Sequence, residues 1–388
     1  MSINQQMIQT PGYVFDIDVF HEQIRQVKEA WGLIGLCYSI KANPFLVGKT
    51  PDAIEWLEVC SPGELTICKE KGIDPKKIIF SGVNKTEQSV REAFDYGVGI
   101  FTAESILHAD LIDQEAKQRG TQAKTLLRLS AGSQFGMSEE DLTQILAAQK
   151  DGAYANLQIA GIHYFSGTQK TKVKEIEKEL TALDAFLKSL KEKYAFVPEQ
   201  VEYGTGLGVE YFISAKDPAP NQEKDLKLLK EVAPVLKDFA EKYPLTVEMG
   251  RFFAASCGSY YTKVVDLKTT NEITYVICDG GLNHLKYQGQ VMGMHVPQIH
   301  VLRKETAEEK QPYCICGSLC TTADVLVRKA ELPDLSIGDV LAFEKTGAYS
   351  VTEGLALFLS RELPAVYLRE GIGLTEVRPV TPVHTLNS

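Results

Sequence analysis

Along the first two thirds of the chain, short apolar runs alternate with segments whose apolar residues recur every three or four positions. YVFDIDVF (Tyr13–Phe20) alternates apolar and acidic residues, the period of a half-buried strand, and HEQIRQVKEAWG then takes the helical period and closes at Gly32. GLIGLCYSI, IEWLEV, KKIIFSGV (Lys76–Val83), GVGIFTA and TLLRLSA predict further strands, and ELTICKEKG, TEQSVREAFDYG, SILHADLIDQEAKQRG and EEDLTQILAAQK predict the helices between them. The rhythm continues through LQIAGIHYFSG, the charged helix VKEIEKELTALDAFLKSLKEKY, QVEYGTGLGV, the helical LKLLKEVAPVLKDFAEKY and LTVEMG. Eight or so strand–helix cycles in about 220 residues favour a (β/α)8 barrel over a doubly wound sheet.

Past residue 251 the helical period stops. SCGSYYTKVVDLKT, NEITYVICDGG, IHVLRKE, QPYCICGSL, GDVLAFEKTGAYS and PAVYLREG are short strand-like runs between turn residues, the pattern of an all-β sandwich or barrel. The expected organisation is therefore a barrel over residues 20–251, followed by a β domain over 252–388 that also takes residues 1–19.

Composition adds exclusions. With 388 residues, 44% hydrophobic and 24% charged, the chain is neither disordered nor collagen-like. Its 41 basic against 51 acidic residues give −10, which disfavours nucleic acid as a partner but leaves room for one local phosphate pocket. No apolar run reaches the roughly 20 residues of a membrane helix, and MSINQQMIQT has no signal-peptide pattern, so the expectation is a cytoplasmic protein whose eight cysteines are thiols.

Several positions can carry chemistry. Lys41 ends a predicted barrel strand, the end at which such barrels place their active sites, where a desolvated amine can condense with a carbonyl compound; a solvated lysine is the plainer reading. Gly204, Gly206 and Gly208 follow a late strand and permit close backbone approach to a phosphate, or form a simple turn, and Thr168 offers a hydroxyl. Glu248 and Arg251 in VEMGR either pair with each other or serve a ring nitrogen and a phosphate. Cys314 and Cys316 alternate onto one strand face, and without a completing ligand set no metal is expected; Cys320 follows Gly317 and Ser318 into a loop where a thiol can transfer a proton. Tyr349 in TGAYSV is a packed aromatic or a phosphate donor.

Taken in order, YSIKANP, VCSPGEL, GIHYFSGTQ, YGTGLG, EMGR, CGSLCTTAD and GAYS resemble the fold type III pyridoxal phosphate decarboxylases, the diaminopimelate, ornithine and arginine decarboxylase group, from Tyr13 to Tyr367. The resemblance implies an alanine racemase/ornithine decarboxylase-like fold and a homodimer with shared active sites. It implies that Lys41 holds pyridoxal 5'-phosphate covalently, Glu58 supports that linkage, and Glu248 bonds the pyridine nitrogen, with Met249 where the family has proline. Arg251, Gly204, Gly206, Gly208, Thr168 and Tyr349 fall on phosphate contacts, Arg128, His163 and Gly250 lie near the cofactor, and Cys320 from the second subunit returns a proton to the substrate carbon after decarboxylation.

Three departures bear on the substrate. The family's stacking histidine falls on Phe165, the arginine that reads a distal carboxylate falls on Tyr287 with Lys286 beside it, and the acidic residue that reads a distal ammonium falls on Thr321. Loss of both ionic readers points away from a free diamino acid and towards the branch with the butirosin-pathway decarboxylase, which acts on a glutamyl group tethered to an acyl carrier protein. A diaminopimelate enzyme whose distal contacts moved to Lys286 or His284, an alanine-racemase-like activity and a non-catalytic binding homologue are the alternatives.

Overall fold

A computed structural model describes residues 8–214, 221–302 and 309–388. In it the first predicted strand divides: Gly12–Asp16 is a strand, β1, and helix α1 (Ile17–Trp31) begins at the next residue. Asp16 sets that boundary, because its carboxylate accepts from the backbone N–H groups of Asp18 and Val19, donors that a first helical turn leaves unpaired. The apolar residues of IDVF therefore serve the helix period, not the strand alternation.

Eight parallel strands follow and close into a barrel: β2 (Gly35–Ser39), β3 (Trp56–Val59), β4 (Ile78–Phe80), β5 (Ile100–Ala103), β6 (Ala123–Leu129), β7 (Leu157–Phe165), β8 (Gln200–Gly204) and β9 (Leu245–Met249). Between them run α2 (Pro62–Glu70), α3 (Glu87–Tyr96), α4 (Ile106–Gln118), α5 (Glu139–Lys150), α6 (Val173–Tyr194) and α7 (Asn221–Ala240). Four of the helix starts carry a hydroxyl cap from the loop that leaves the barrel: Ser61 to Glu64, Thr86 to Ser89, Ser105 to His108 and Ser138 to Asp141. Each such cap contributes about 1 kcal/mol and fixes where the chain turns back.

Side-chain parity inside the barrel is set by Tyr203, whose hydroxyl donates to Glu179 on α6; its neighbours Glu202 and Gly204 therefore face inward. The inward residues fall into two levels. Cys37, Ile79, Ile100, Leu126 and Ala160 form a fully buried apolar cluster with Trp56 against it. Towards the C-terminal strand ends lie Ser39, Glu58, Arg128, His163 and Glu248, all buried, so the apolar layer holds the barrel and the next layer holds its ionisable groups.

The second unit is one mixed sheet in the order β14-β13-β11-β10-β1-β16-β17, with β15 on β10 and β12 on β15. Its strands are β10 (Gly258–Thr270), β11 (Ile273–Cys278), β12 (Ile299–Val301), β13 (Lys310–Cys316), β14 (Val325–Pro333), β15 (Val340–Glu344), β16 (Ala365–Glu370) and β17 (Gly373–Arg378). The long β10 serves two neighbourhoods: its first half pairs with β1 and β15, and beyond an irregularity between Val264 and Asp266 it pairs with β11. Val209–Lys224 joins this unit and not the barrel (Ile24–Gly208 and Asp225–Phe252), unlike the boundary expected from sequence. Phe212 bridges to Pro297, and both Tyr211 and Phe212 set their rings edge-on against Tyr287.

Candidate active site

Directly after β2 the chain makes a short 3-10 turn, Ile40–Ala42, that places Lys41 at the barrel mouth. Its Nζ stands 2.6 Å from Glu58 Oε2, 3.6 Å from Glu248 Oε1 and 3.6 Å from Cys60 Sγ. Glu58 comes from β3 and Glu248 from β9, the two strands that flank β2, so the fold itself gathers one amine between two carboxylates. Ser39 Oγ donates to Glu248 Oε1 at 2.5 Å, and His163 Nε2 lies 3.0 Å from Glu248 Oε2. Burial pushes Glu248 up, but the Lys41 charge and the His163 hydrogen bond outweigh it and hold the carboxyl well below its usual range. A carboxylate so held remains an anion.

Arg128 lies on β6 with Nη1 3.0 Å from Glu104 Oε1 and its guanidinium 5.0 Å above the Phe135 ring, a pairing that fixes its position at the mouth. Three residues of this corner were not singled out from sequence: Lys85, Glu104 and His108. Lys85 Nζ donates to Gly82 O at 2.9 Å, and burial, countered chiefly by Glu104, brings its amine down to about 8. Burial and the Lys85 charge bring His108 down to about 4. The signal was present, since SGVNK ends a barrel strand with a lysine as YSIK does.

The glycine-rich segment crosses the loop after β7. Gly206 has φ +60°, a Cβ there would lie 1.9 Å from Gly167 O, and Gly206 O accepts from Lys170 N at 2.9 Å while Gly208 N donates to Lys170 O at 2.8 Å. Thr168 is exposed beside this crossing, and Gly250 sits so near Ala42 that a Cβ would lie 2.8 Å from that methyl. Arg251 opens the one-turn helix α8 (Arg251–Ala254) immediately after Glu248 and β9. Phe165 folds back over Gly204, where a Cβ would meet its ring at 2.5 Å. Gly206→Ala is expected to destabilise the protein by about 1–3 kcal/mol, read as a lower Tm.

In the sheet unit, Asp324 organises the loop that follows β13. Its carboxylate accepts from Leu282 N at 2.8 Å and Leu319 N at 2.7 Å, and Gly281 and Gly317 press so closely that a Cβ on either would lie within 2.4 Å of it. Cys320 and Thr321 stand exposed at the tip of this pinned loop, the cysteine as a free thiol. Tyr349 has φ +66°, and its carbonyl accepts from the N–H groups of Thr352 and Glu353. Tyr287 is 3% exposed and donates its hydroxyl to Glu344 O at 2.5 Å. Among the described residues no His, Cys, Asp and Glu group is arranged to hold a metal ion, and no helix is long and apolar enough to cross a membrane.

An amine between carboxylates, an anionic carboxylate held for a ring nitrogen and a side-chain-free backbone crossing fit an aldehyde cofactor with a basic ring and a phosphate, which is the chemistry of pyridoxal phosphate. Residues 13–347 match the family model described as "Pyridoxal-dependent decarboxylase, C-terminal sheet domain". The diaminopimelate decarboxylase of Aquifex aeolicus is 29% identical over 358 residues, covering 88% of this chain and 82% of that protein. The L-glutamyl-[BtrI acyl-carrier protein] decarboxylase of Niallia circulans is 27% identical over 392 residues, covering 93% and 89%. The crystal structure of diaminopimelate decarboxylase from Methanocaldococcus jannaschii superposes with a TM-score of 0.83 at 25% identity, covering 98% of this chain and 92% of that one. The chain belongs to the pyridoxal-dependent decarboxylase family, and it is a carboxy-lyase with pyridoxal 5'-phosphate as its cofactor.

Proposed function

We propose that this enzyme removes the α-carboxylate of an amino acid whose side chain ends without a free charge, such as a glutamyl group conjugated to a carrier protein, and that it does so as a homodimer with shared sites. The observation that carries this reading is the chemistry at Tyr287 and Thr321: a phenol committed to a backbone carbonyl and a neutral hydroxyl stand where the resemblance places readers of distal charge. A site that hydrogen-bonds or pairs a substrate group rejects analogues lacking it far more strongly than an apolar wall does. The similarity to the Niallia circulans glutamyl enzyme supports the same direction.

Pyridoxal phosphate, when bound, supplies the electron sink for the pair left as carbon dioxide departs. On this reading Lys41 supplies the amine that holds it, Glu58 positions that amine, and Glu248 faces the ring nitrogen. Gly206, Gly208, Gly250, Arg251, Thr168 and Tyr349 hold the phosphate, and Arg128 and His163 line the ring's surroundings. Phe165 covers one ring face with an apolar surface that does not titrate. Cys320 from the partner returns a proton to the α-carbon, which distinguishes this chain from a racemase built on a tyrosine base.

A second reading, diaminopimelate decarboxylation, is favoured by one observation: Lys286, beside Tyr287, is exposed, with Nζ 3.7 Å from Glu353, and offers a cation for a distal carboxylate. Carbon dioxide release from free diaminopimelate, ornithine, lysine and glutamate and from glutamyl on a carrier protein separates the two. The expected result is kcat/KM at least about 100-fold higher for the conjugate than for any free amino acid. Diaminopimelate as the best substrate overturns the proposal.

A further inference from the structure

Glu202 is a buried ionisable group with no part in the scheme above. It lies on β8, inward-facing and wholly buried, and among the described residues neither carboxylate oxygen has an N–H or O–H donor; the Cys37 thiol of β2 lies against it. Its Cα partner in the parallel ladder is His163 on β7, so the two side chains stand side by side on the inner face, on strands about 4.8 Å apart. His163 Nδ1 is likewise buried without a hydrogen-bond partner, while its Nε2 meets Glu248 Oε2 at 3.0 Å. The imidazole thus bonds one carboxylate and neighbours a second that has no N–H or O–H donor.

A buried carboxylate without donors is costly unless a nearby positive charge compensates it. A buried imidazole beside one carboxylate is free to lose its proton, and a ring protonated only at Nδ1 turns a lone pair towards Glu248, acceptor against acceptor. A second carboxylate nearby removes that ambiguity, since its negative charge favours the doubly protonated ring. We propose that Glu202 is a positioning residue that holds His163 as the imidazolium, so that Nε2–H stays on Glu248 Oε2 and keeps that carboxylate anionic and fixed in direction.

The electrostatic balance supports this geometry. Burial pushes His163 down, yet the bond to Glu248 and the charge of Glu202 raise it overall, against the opposing charge of Arg128 from β6. Burial brings Glu202 up to about 7; His163 pulls it down, while Glu248 from β9 and Glu58 from β3 push it up. The charged groups facing the pair are therefore Arg128, Glu58 and Glu248, with Lys41 acting on Glu248 from the mouth. Glu202 and His163 therefore titrate as a coupled pair.

The consequence for the cofactor rests on Glu248 being the ring-nitrogen partner; the state of His163 does not. The test is NMR titration of the full-length holoenzyme carrying histidine labelled with carbon-13 at Cε1, the His163 signal being assigned by its loss in His163→Gln. In the wild type His163 is expected to remain protonated above neutral pH. In Glu202→Gln its midpoint falls by at least one unit, a tenfold loss of proton affinity, and Glu202→Asp, which keeps the charge, recovers most of it. An unchanged midpoint in Glu202→Gln overturns the proposal. Should that variant fail to fold, carbon-13 carboxyl labelling of wild-type glutamate decides: a carboxyl and His163 titrating over one shared pH range support the pair, and a His163 midpoint near its ordinary 6.5 with no carboxyl titrating alongside overturns it. A His163 midpoint that moves while the cofactor's absorbance spectrum does not supports Glu202 as the positioning residue and instead removes Glu248 from the ring nitrogen.

Discussion

Lys41→Ala is expected to lower decarboxylation by about 10³-fold or more and to abolish the visible chromophore that borohydride fixes to the wild-type chain. The size follows from the position. Lys41 Nζ is the amine at the end of β2, and Glu58 at 2.6 Å and Glu248 at 3.6 Å hold it at the barrel mouth, where the proposed reading binds the cofactor's aldehyde. On the proposed reading its loss removes the covalent anchor of the cofactor, a large contribution to rate. Absorbance of the purified protein with added cofactor, then peptide mapping after borohydride, measures both effects. A variant that retains a borohydride-fixed label sends the linkage elsewhere, and Lys85, a buried amine whose proton affinity burial brings down to about 8, is the residue to map next. Lys85→Met with Lys41 intact is expected to keep the label.

The barrel was legible because its strands are short apolar runs, four of them followed by a hydroxyl-capped helix, as at Ser61 and Ser105, and both signals are local. Period alone could not place β14 and β17: VLVRKAELP and GLTEVR mix charge into strands that present one face to solvent, so their alternation is diluted. It also misplaced the turn at Asp16, where a capping carboxylate overrides an alternating pattern. In the site, Lys41, Glu248 and the glycines were visible as strand-end motifs. Glu202 was not, because an acid inside VEYG looks like the polar half of an alternating strand until Tyr203 is seen to point outward to Glu179. Which layer of a barrel a residue occupies depends on register between strands, and register is a long-range property.

Two inactive variants are expected to restore each other. If the active sites are shared across a two-fold axis, Lys41→Ala and Cys320→Ala chains mixed under conditions that exchange subunits form about half mixed dimers, and in each of these one site has both residues intact and the other neither. About one quarter of wild-type activity should therefore return from two parents that are each nearly inactive. Cys320 is exposed at the tip of a loop pinned by Asp324, so its truncation leaves the buried packing of the sheet unit in place. Recovery is measured as carbon dioxide release against mixing ratio, with a maximum at equal amounts. A mixture no more active than its parents means that each subunit completes its own site, and the proton donor must then be sought among groups of the same chain. An active Cys320→Ala parent alone removes the thiol from the reaction without touching the assignment of Lys41.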